Sequence, residues 1–200
     1  MYFEGASRSV IRSVRQGDLF NAWLRVYRRE RAMPLIHQFE PERLSEEKPD
    51  LMYYDVVRNG DSYRYLIQHS GRNLMKAFGT DNTEGKHLDE FLDTERLDFM
   101  TPAFVACIDA RRPVYTISAV WDVNGIPVSY ERLALPFGAN DRVQQLIVSL
   151  KTISIEGRFE TTNLMRPEKQ RYSYDLCAVI DRDLDGAQSR LTSTDDVVEI

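Results

Sequence analysis

The sequence predicts an α+β domain. It has two runs of strands forming an antiparallel sheet, short helices between the runs, and an amphipathic helix at the N-terminus. Three observations carry this reading. Apolar residues recur at helical spacing between residues 9 and 31. Five later segments alternate with the period of a strand, two before residue 70 and three after residue 113. Between those two groups the spacing is helical again. Strands grouped in runs, with the helices between the runs, point to an antiparallel sheet and away from βαβ alternation.

The first helix is read from Ser9 to Arg31. Phe20, Trp23, Leu24 and Tyr27 stand at i, i+3, i+4 and i+7 and share one face, which Ile11 and Val14 loosely extend. Six arginines (12, 15, 25, 28, 29 and 31) make the remainder basic. Such a helix can lie on a membrane. Asp18 and Glu30 interrupt the charge, so docking onto the helix's own domain is the plainer expectation. The same stripe can pair across a two-fold axis, which makes Phe20, Trp23, Leu24 and Tyr27 the candidate interface of a homodimer. Pro34 ends the segment, and Pro41 opens a short helical turn over residues 42–47.

The strands follow. Leu51 to Val57 is rich in Tyr and Val, Asn59-Gly60-Asp61 is turn chemistry, and Tyr63 to His69 alternates, so the three read as a hairpin. A short helix carries Leu74 and Phe78 and is closed by Gly79. Gly85 to Leu92 holds another apolar side. A longer helix then carries Leu97, Met100, Phe104, Cys107 and Ile108, and is expected to split at Thr101-Pro102. Val114 to Trp121, the Asn124-Gly125 turn, Ser129 to Pro136 and Val143 to Ile155 supply the last three strands. The chain thus divides into a helix and connecting segment (1–50), a core (51–156) and a polar tail (157–200). The tail has one apolar patch, Tyr172, Tyr174, Leu176, Ala178, Val179 and Ile180, which can add an edge strand or a short docking helix.

Composition bounds the function. At 200 residues the chain suits one domain without excluding two, and 42% apolar content suffices for a core. A net charge of −5 argues against a nucleic-acid surface. Two distant cysteines make no disulfide framework, and no apolar run spans a bilayer. The start lacks a signal pattern, so a cytoplasmic protein is expected.

The usual chemical signatures do not occur. His37, His69 and His87 form no HExxH or i, i+4 pair, and no nucleophile elbow, phosphate loop or dinucleotide fingerprint is found. Cys107 lies on an apolar stripe and reads as a buried structural thiol. Asp181 to Gly186 matches the first half of a calcium loop. The twelfth position, where a bidentate Glu is needed, is Thr192, and the eighth is Gln188, so it reads as acidic tail.

One stretch adds to this: Phe78-Gly79-Thr80-Asp81-Asn82-Thr83-Glu84-Gly85-Lys86-His87-Leu88. It sets an aromatic-Gly, a short polar run, then Gly-Lys before an apolar residue. Tyr63-Arg64-Tyr65-Leu66 precedes it as second strand, and Glu131-Arg132-Leu133-Ala134-Leu135-Pro136 follows as fourth. In this order the segments resemble the PAS family. More narrowly, they resemble a compact bacterial PAS variant that begins with an aromatic-rich helix and a Pro-containing segment, here Trp23-Leu24 and Phe39-Glu40-Pro41. The resemblance covers about residues 18–155. It implies a PAS-like five-stranded antiparallel sheet cupping a cavity closed by short helices, and a role in sensing small molecules or meeting protein partners. Flavin photosensors of the family carry a reactive Cys where this chain has Leu88. Haem-binding members often carry a His on the long helix, and residues 102–112 have none. Neither cofactor is expected.

The apolar residues Tyr53, Tyr65, Ile67, Phe104, Ile108, Tyr115, Ile117 and Trp121 are the candidate pocket lining, though a filled core uses the same residue types. The favoured reading is a non-enzymatic sensory or regulatory domain of bacterial signalling, whose signal passes to a protein partner. The alternatives are a pure dimerisation module with a filled core, and a small cone-shaped α+β enzyme using Asp55 and His69 as acid and base.

Overall fold

The structure, a computed structural model, describes residues 2–154, 157–165 and 173–181. Seven strands form one sheet: β1 (Glu4–Ala6), β2 (Leu51–Asn59), β3 (Ser62–Ser70), β4 (Val114–Trp121), β5 (Pro127–Ala139), β6 (Arg142–Ile153) and β7 (Tyr174–Ile180). Their order across the sheet is β1-β7-β4-β5-β6-β2-β3. Every neighbouring pair is antiparallel except β1 with β7, which is parallel. The fold is α+β, but the five-stranded, wholly antiparallel sheet expected from the sequence is wrong: the sheet is mixed and has seven strands. The two additions have one physical cause. β4 presents a row of backbone donors and acceptors, and an unpaired edge recruits another strand. The apolar patch of the tail fills that place as β7, in register Tyr115↔Ala178. β1 then adds to β7 at Gly5↔Val179, although Glu4-Gly5-Ala6 has no alternation to read.

Helices cover both faces. α1 (Val14–Glu30) begins where the Ser13 side chain accepts the Gln16 N–H, and it ends at Arg31 in the left-handed region (φ 51). Its stripe of Leu19, Phe20, Trp23 and Leu24 packs on Tyr115, Ile117, Leu133, Leu135, Phe137 and Ile147 of the sheet. Trp23 Nε1 donates to Pro136 O at 2.7 Å, and the wholly buried Gln16 donates through Nε2 to Glu131 O and Ser149 O. Phe20, Trp23 and Leu24 are therefore spent within the protomer. As a dimer interface the stripe is not available, because the area that would drive association is already buried against the sheet.

The opposite face is covered by α3 (Arg72–Phe78), α4 (Leu88–Phe91) and α5 (Thr94–Ala110), while the single turn α2 (Leu44–Glu47) links α1 to β2. Met52, Tyr54, Tyr65, Ile67, Val114, Tyr130, Ala134, Val148 and Leu150 form the sheet side of this second core. α5 is continuous and is not split at Pro102. Met100, Ala103, Phe104, Cys107 and Ile108 are buried on both sides of the proline, and this shared burial outweighs the one hydrogen bond that proline removes.

Two turns fix the long hairpins. β5 and β6 join through Asn140 and Asp141, both with positive φ (52° and 59°), as a tight hairpin requires. Just before them the ladder shifts register between Phe137 and Gly138. A Cβ at Gly138 would lie 1.9 Å from Arg142 O and 2.9 Å from Gln144 N, both backbone atoms that cannot turn aside. Gly138→Ala should therefore cost about 2–3 kcal/mol in urea denaturation. A change within a few tenths of a kcal/mol would mean that the bulge opens freely.

At the β4–β5 turn the Asp122 carboxylate accepts the N–H groups of Asn124, Ile126 and, from the following segment, Glu160. These bonds, that of Glu160 first, hold the Asp122 carboxyl below its ordinary value. A lowered folded-state pKa gives stability that is present above the unfolded value and lost as pH falls through the folded one. The turn and the segment it ties should loosen below about pH 4. Emission from the half-exposed Trp121 beside the turn should report this, since the other tryptophan, Trp23, is fully buried. An emission spectrum unchanged down to pH 2.5 would count against it.

Candidate functional site

β5 is covered on both faces, and its alternation decides what each core receives. Val128, Tyr130, Arg132 and Ala134 point to the α3–α5 side, while Leu133, Leu135 and Phe137 point to α1. A guanidinium is thereby placed in a core: Arg132 is 1% exposed. Its Nη1 donates to Tyr174 Oη at 3.1 Å, and its central carbon lies 5.3 Å from the Tyr130 ring centroid. Among the described residues its buried Nε and Nη2 have no hydrogen-bond partner of good geometry and it forms no ion pair, while the Tyr174 and Tyr130 hydroxyls favour its charged form against the cost of burial.

Neither Tyr174 nor Tyr54 neutralises this charge. Tyr174 Oη donates its own proton to Phe99 O at 2.7 Å, and its ring stacks on Phe99 at 4.2 Å. Burial pushes the Tyr174 phenol up, with Arg132 opposing, so it stays protonated at neutral pH. Tyr54, fully buried nearby, is likewise driven up by burial and by Tyr130, and Arg132 only partly offsets this. Guanidinium itself is charged at any physiological pH. The site is a buried cation beside the protonated Tyr54 and Tyr174.

A cleft of 270 Å³ adjoins it. Leu150 and Thr152 of β6 and Tyr130 of β5 form one side, and Asn73, Leu74, Lys76 and Ala77 of α3 another; Asp50, Thr161 and Leu164 complete the lining, and Arg132 is not part of it. Two residues tie cleft to cation. Tyr130 lines the cleft and stacks on the guanidinium, and Leu150 is the ladder partner of Arg132. The closing strap is held to the end of α3 by two backbone bonds, Asn163 N to Lys76 O and Met165 N to Ala77 O. Two larger clefts lie elsewhere. One of 410 Å³ runs between α1 and residues 41–47, and one of 440 Å³ lies by the β5–β6 turn. Charged side chains are prominent in both, and Arg132 lines none of the three.

The eight residues expected to line one pocket do not come together. Tyr65, Ile67, Phe104 and Ile108 share the α3–α5 core. Tyr115 and Ile117 lie in the α1 core, with Tyr53 against it. Trp121 is 43% exposed. The sheet itself separates the two groups. In β2 it is Tyr54, not Tyr53, that meets Phe104 and Tyr65, with ring centroids at 5.4 and 6.3 Å. Asp55 and His69 do not pair either. Asp55 accepts from Gln68 and Gln145, while His69 meets Glu84 and Lys48 O. Cys107 is fully buried against Ala134 O, and burial drives its thiol far up. The calcium-like run lies outside the described residues beyond Asp181, as does Tyr172 of the tail patch. Among the described residues there is no metal-ligating cluster, and no helix is long and apolar enough to cross a membrane.

In the sequence Arg132 stands out only as part of a strand. The available signal was its phase: it alternates in step with Val128, Tyr130 and Ala134, so a strand covered on both faces must bury it. Comparison with protein-family models and with curated proteins gives no match.

Proposed function

We propose that the chain is a non-enzymatic sensory or regulatory domain of the PAS kind, acting in the bacterial cytoplasm, which binds a small ligand on the α3–α5 side of its sheet and passes its state to a protein partner. The observation that carries this reading is Arg132. A fully buried cation without a countercharge among the described residues costs several kcal/mol, and a protein core that keeps one has a use for it. The placement of α3–α5 between the β2–β3 hairpin and the β4–β6 strands supports the same reading, as does the cleft beside Tyr130. The rival reading, a module that dimerises through the α1 stripe, loses its surface to the intramolecular packing of Phe20, Trp23 and Leu24.

Native mass spectrometry of freshly purified protein, with an absorption spectrum, tests the proposal. A co-purifying small molecule supports it. A protein that carries nothing and whose stability responds to no small molecule rejects it.

A further inference from the structure

We propose that the exposed arginine face of α1 is the docking surface of this chain's own acidic segment, residues 183–200, held there by charge. Docking of this kind is independent of ligand binding on the α3–α5 side. From Arg8 to Arg31 the sequence has seven arginines and two acids, a net +5 in a chain whose total is −5. The apolar stripe of α1 is spent on the sheet, and all seven arginines are exposed. Arg25, Arg28 and Arg29 stand at i, i+3 and i+4 and form one patch. Arg15 reaches Glu47 and Arg29 its neighbour Glu30, while Arg12, Arg25 and Arg31 form no ion pair among the described residues. The helix dipole accounts for Arg28 and Arg29, which lie in the last turn, where cations are favoured. It works against Arg12 and Arg15 at the other end, where the first turn has no acid. A cationic face that runs the length of the helix, against the dipole at one end, fits an anionic partner.

The complementary charge lies in the same chain. Residues 182–200 carry five acids, Asp183, Asp185, Asp195, Asp196 and Glu199, against two arginines. The described chain leaves the sheet close to α1. Asp181 N donates to Ala6 O at 2.7 Å. Two residues on from Ala6, Arg8 Nη1 donates to Asn21 Oδ1 of α1 at 3.4 Å. Asn21 stands four residues before Arg25 and so on the same face. From Asn21 to Arg29 the helix rises about 12 Å, a span that about four extended residues cover. All five acids therefore have the reach. An exposed ion pair is weak singly. Attachment to the same chain holds the acids at an effective concentration on the order of millimolar, so several weak pairs suffice. Docked there, the segment covers the arginine face against other anionic partners, and a stronger polyanion would displace it.

The test places a nitroxide at position 193 of the full chain through Ser193→Cys. Cys177→Ser removes the partly exposed native thiol, and Cys107 is fully buried. The amide signals of residues 21–31 are read by NMR against the same protein with the label reduced. At low salt, about 20 mM, these signals should lose about half their intensity or more. At about 500 mM they should recover, because exposed charges are then screened within a few ångströms. The combined change Arg25→Glu, Arg28→Glu and Arg29→Glu, all at exposed positions, should fold and abolish the broadening at low salt. Asp195→Lys with Asp196→Lys should abolish it with α1 untouched. No broadening at low salt, or broadening that salt and both charge reversals leave in place, overturns the inference. Equal broadening in a mixture of isotope-labelled protein without nitroxide and unlabelled protein with it also overturns it, since the segment then docks on a second copy.

Discussion

Replacing Arg132 by methionine should raise the melting temperature of the ligand-free protein. Taking a guanidinium out of water costs several kcal/mol. Against this, the Tyr174 bond returns about 1.5–3 kcal/mol and the Tyr130 ring about 0.5–2. Nε and Nη2 have no hydrogen-bond partner of good geometry among the described residues and return little. Methionine has similar length, no charge and a flexible chain that fills the same slot. Buried ions replaced in this way are commonly neutral or stabilising by about 1–4 kcal/mol. At roughly 2–4 °C per kcal/mol for a chain of this size, the shift should be several degrees upward. Tyr174 keeps its bond to Phe99 O in the variant, so β7 stays anchored to α5. A fall of several degrees would show that Arg132 is a net structural asset. The proposed trade of stability for binding would then be wrong.

The opposite sign is expected at a second buried charge. Lys151 Nζ lies 2.6 Å from Asp50 Oδ2 and 2.8 Å from Glu47 Oε2, and all three side chains are at least four-fifths buried. Arg15 reaches the other oxygen of Glu47 at 3.2 Å but is half exposed, and Asn73 donates to Asp50 at 2.7 Å. Here the charges are matched, and removing the cation strands two carboxylates at the junction of α2, β2 and β6. Lys151→Met should lose about 3–5 kcal/mol, the usual cost of breaking a buried pair from one side. The midpoint of a urea melt should fall with its slope unchanged. If the loss stays below ~1 kcal/mol, Arg15 and Asn73 alone suffice, and the network is a surface one in energetic terms.

These two sites also show what the sequence could convey. The strands of the hairpins were legible because alternation and turn residues are local. What each face meets is not local. In Leu51-Met52-Tyr53-Tyr54 two adjacent tyrosines point to opposite faces, and nothing in the pattern says which face carries α3–α5. The α1 stripe has the same ambiguity, because a helix that docks on its own sheet and one that pairs with a second copy carry the same residues. β7 was visible as an apolar patch that suited an edge strand or a short helix equally, and only the open edge of β4 selects the strand. β1 has no readable pattern and exists by pairing alone. Arg132 follows this rule too: its phase was plain, but its burial depended on both faces of β5 being covered.

The parallel pairing of β1 with β7 has a consequence for how the molecule is made. Among the described strands β1 pairs with β7 alone, and the two are far apart in sequence. During synthesis, β1 and the donor-rich rail of β4 therefore wait until the last strand emerges. For that interval the nascent chain offers two unpaired edges to its surroundings. Closing this edge demands the largest loop in the fold, so it should be the slowest contact to form.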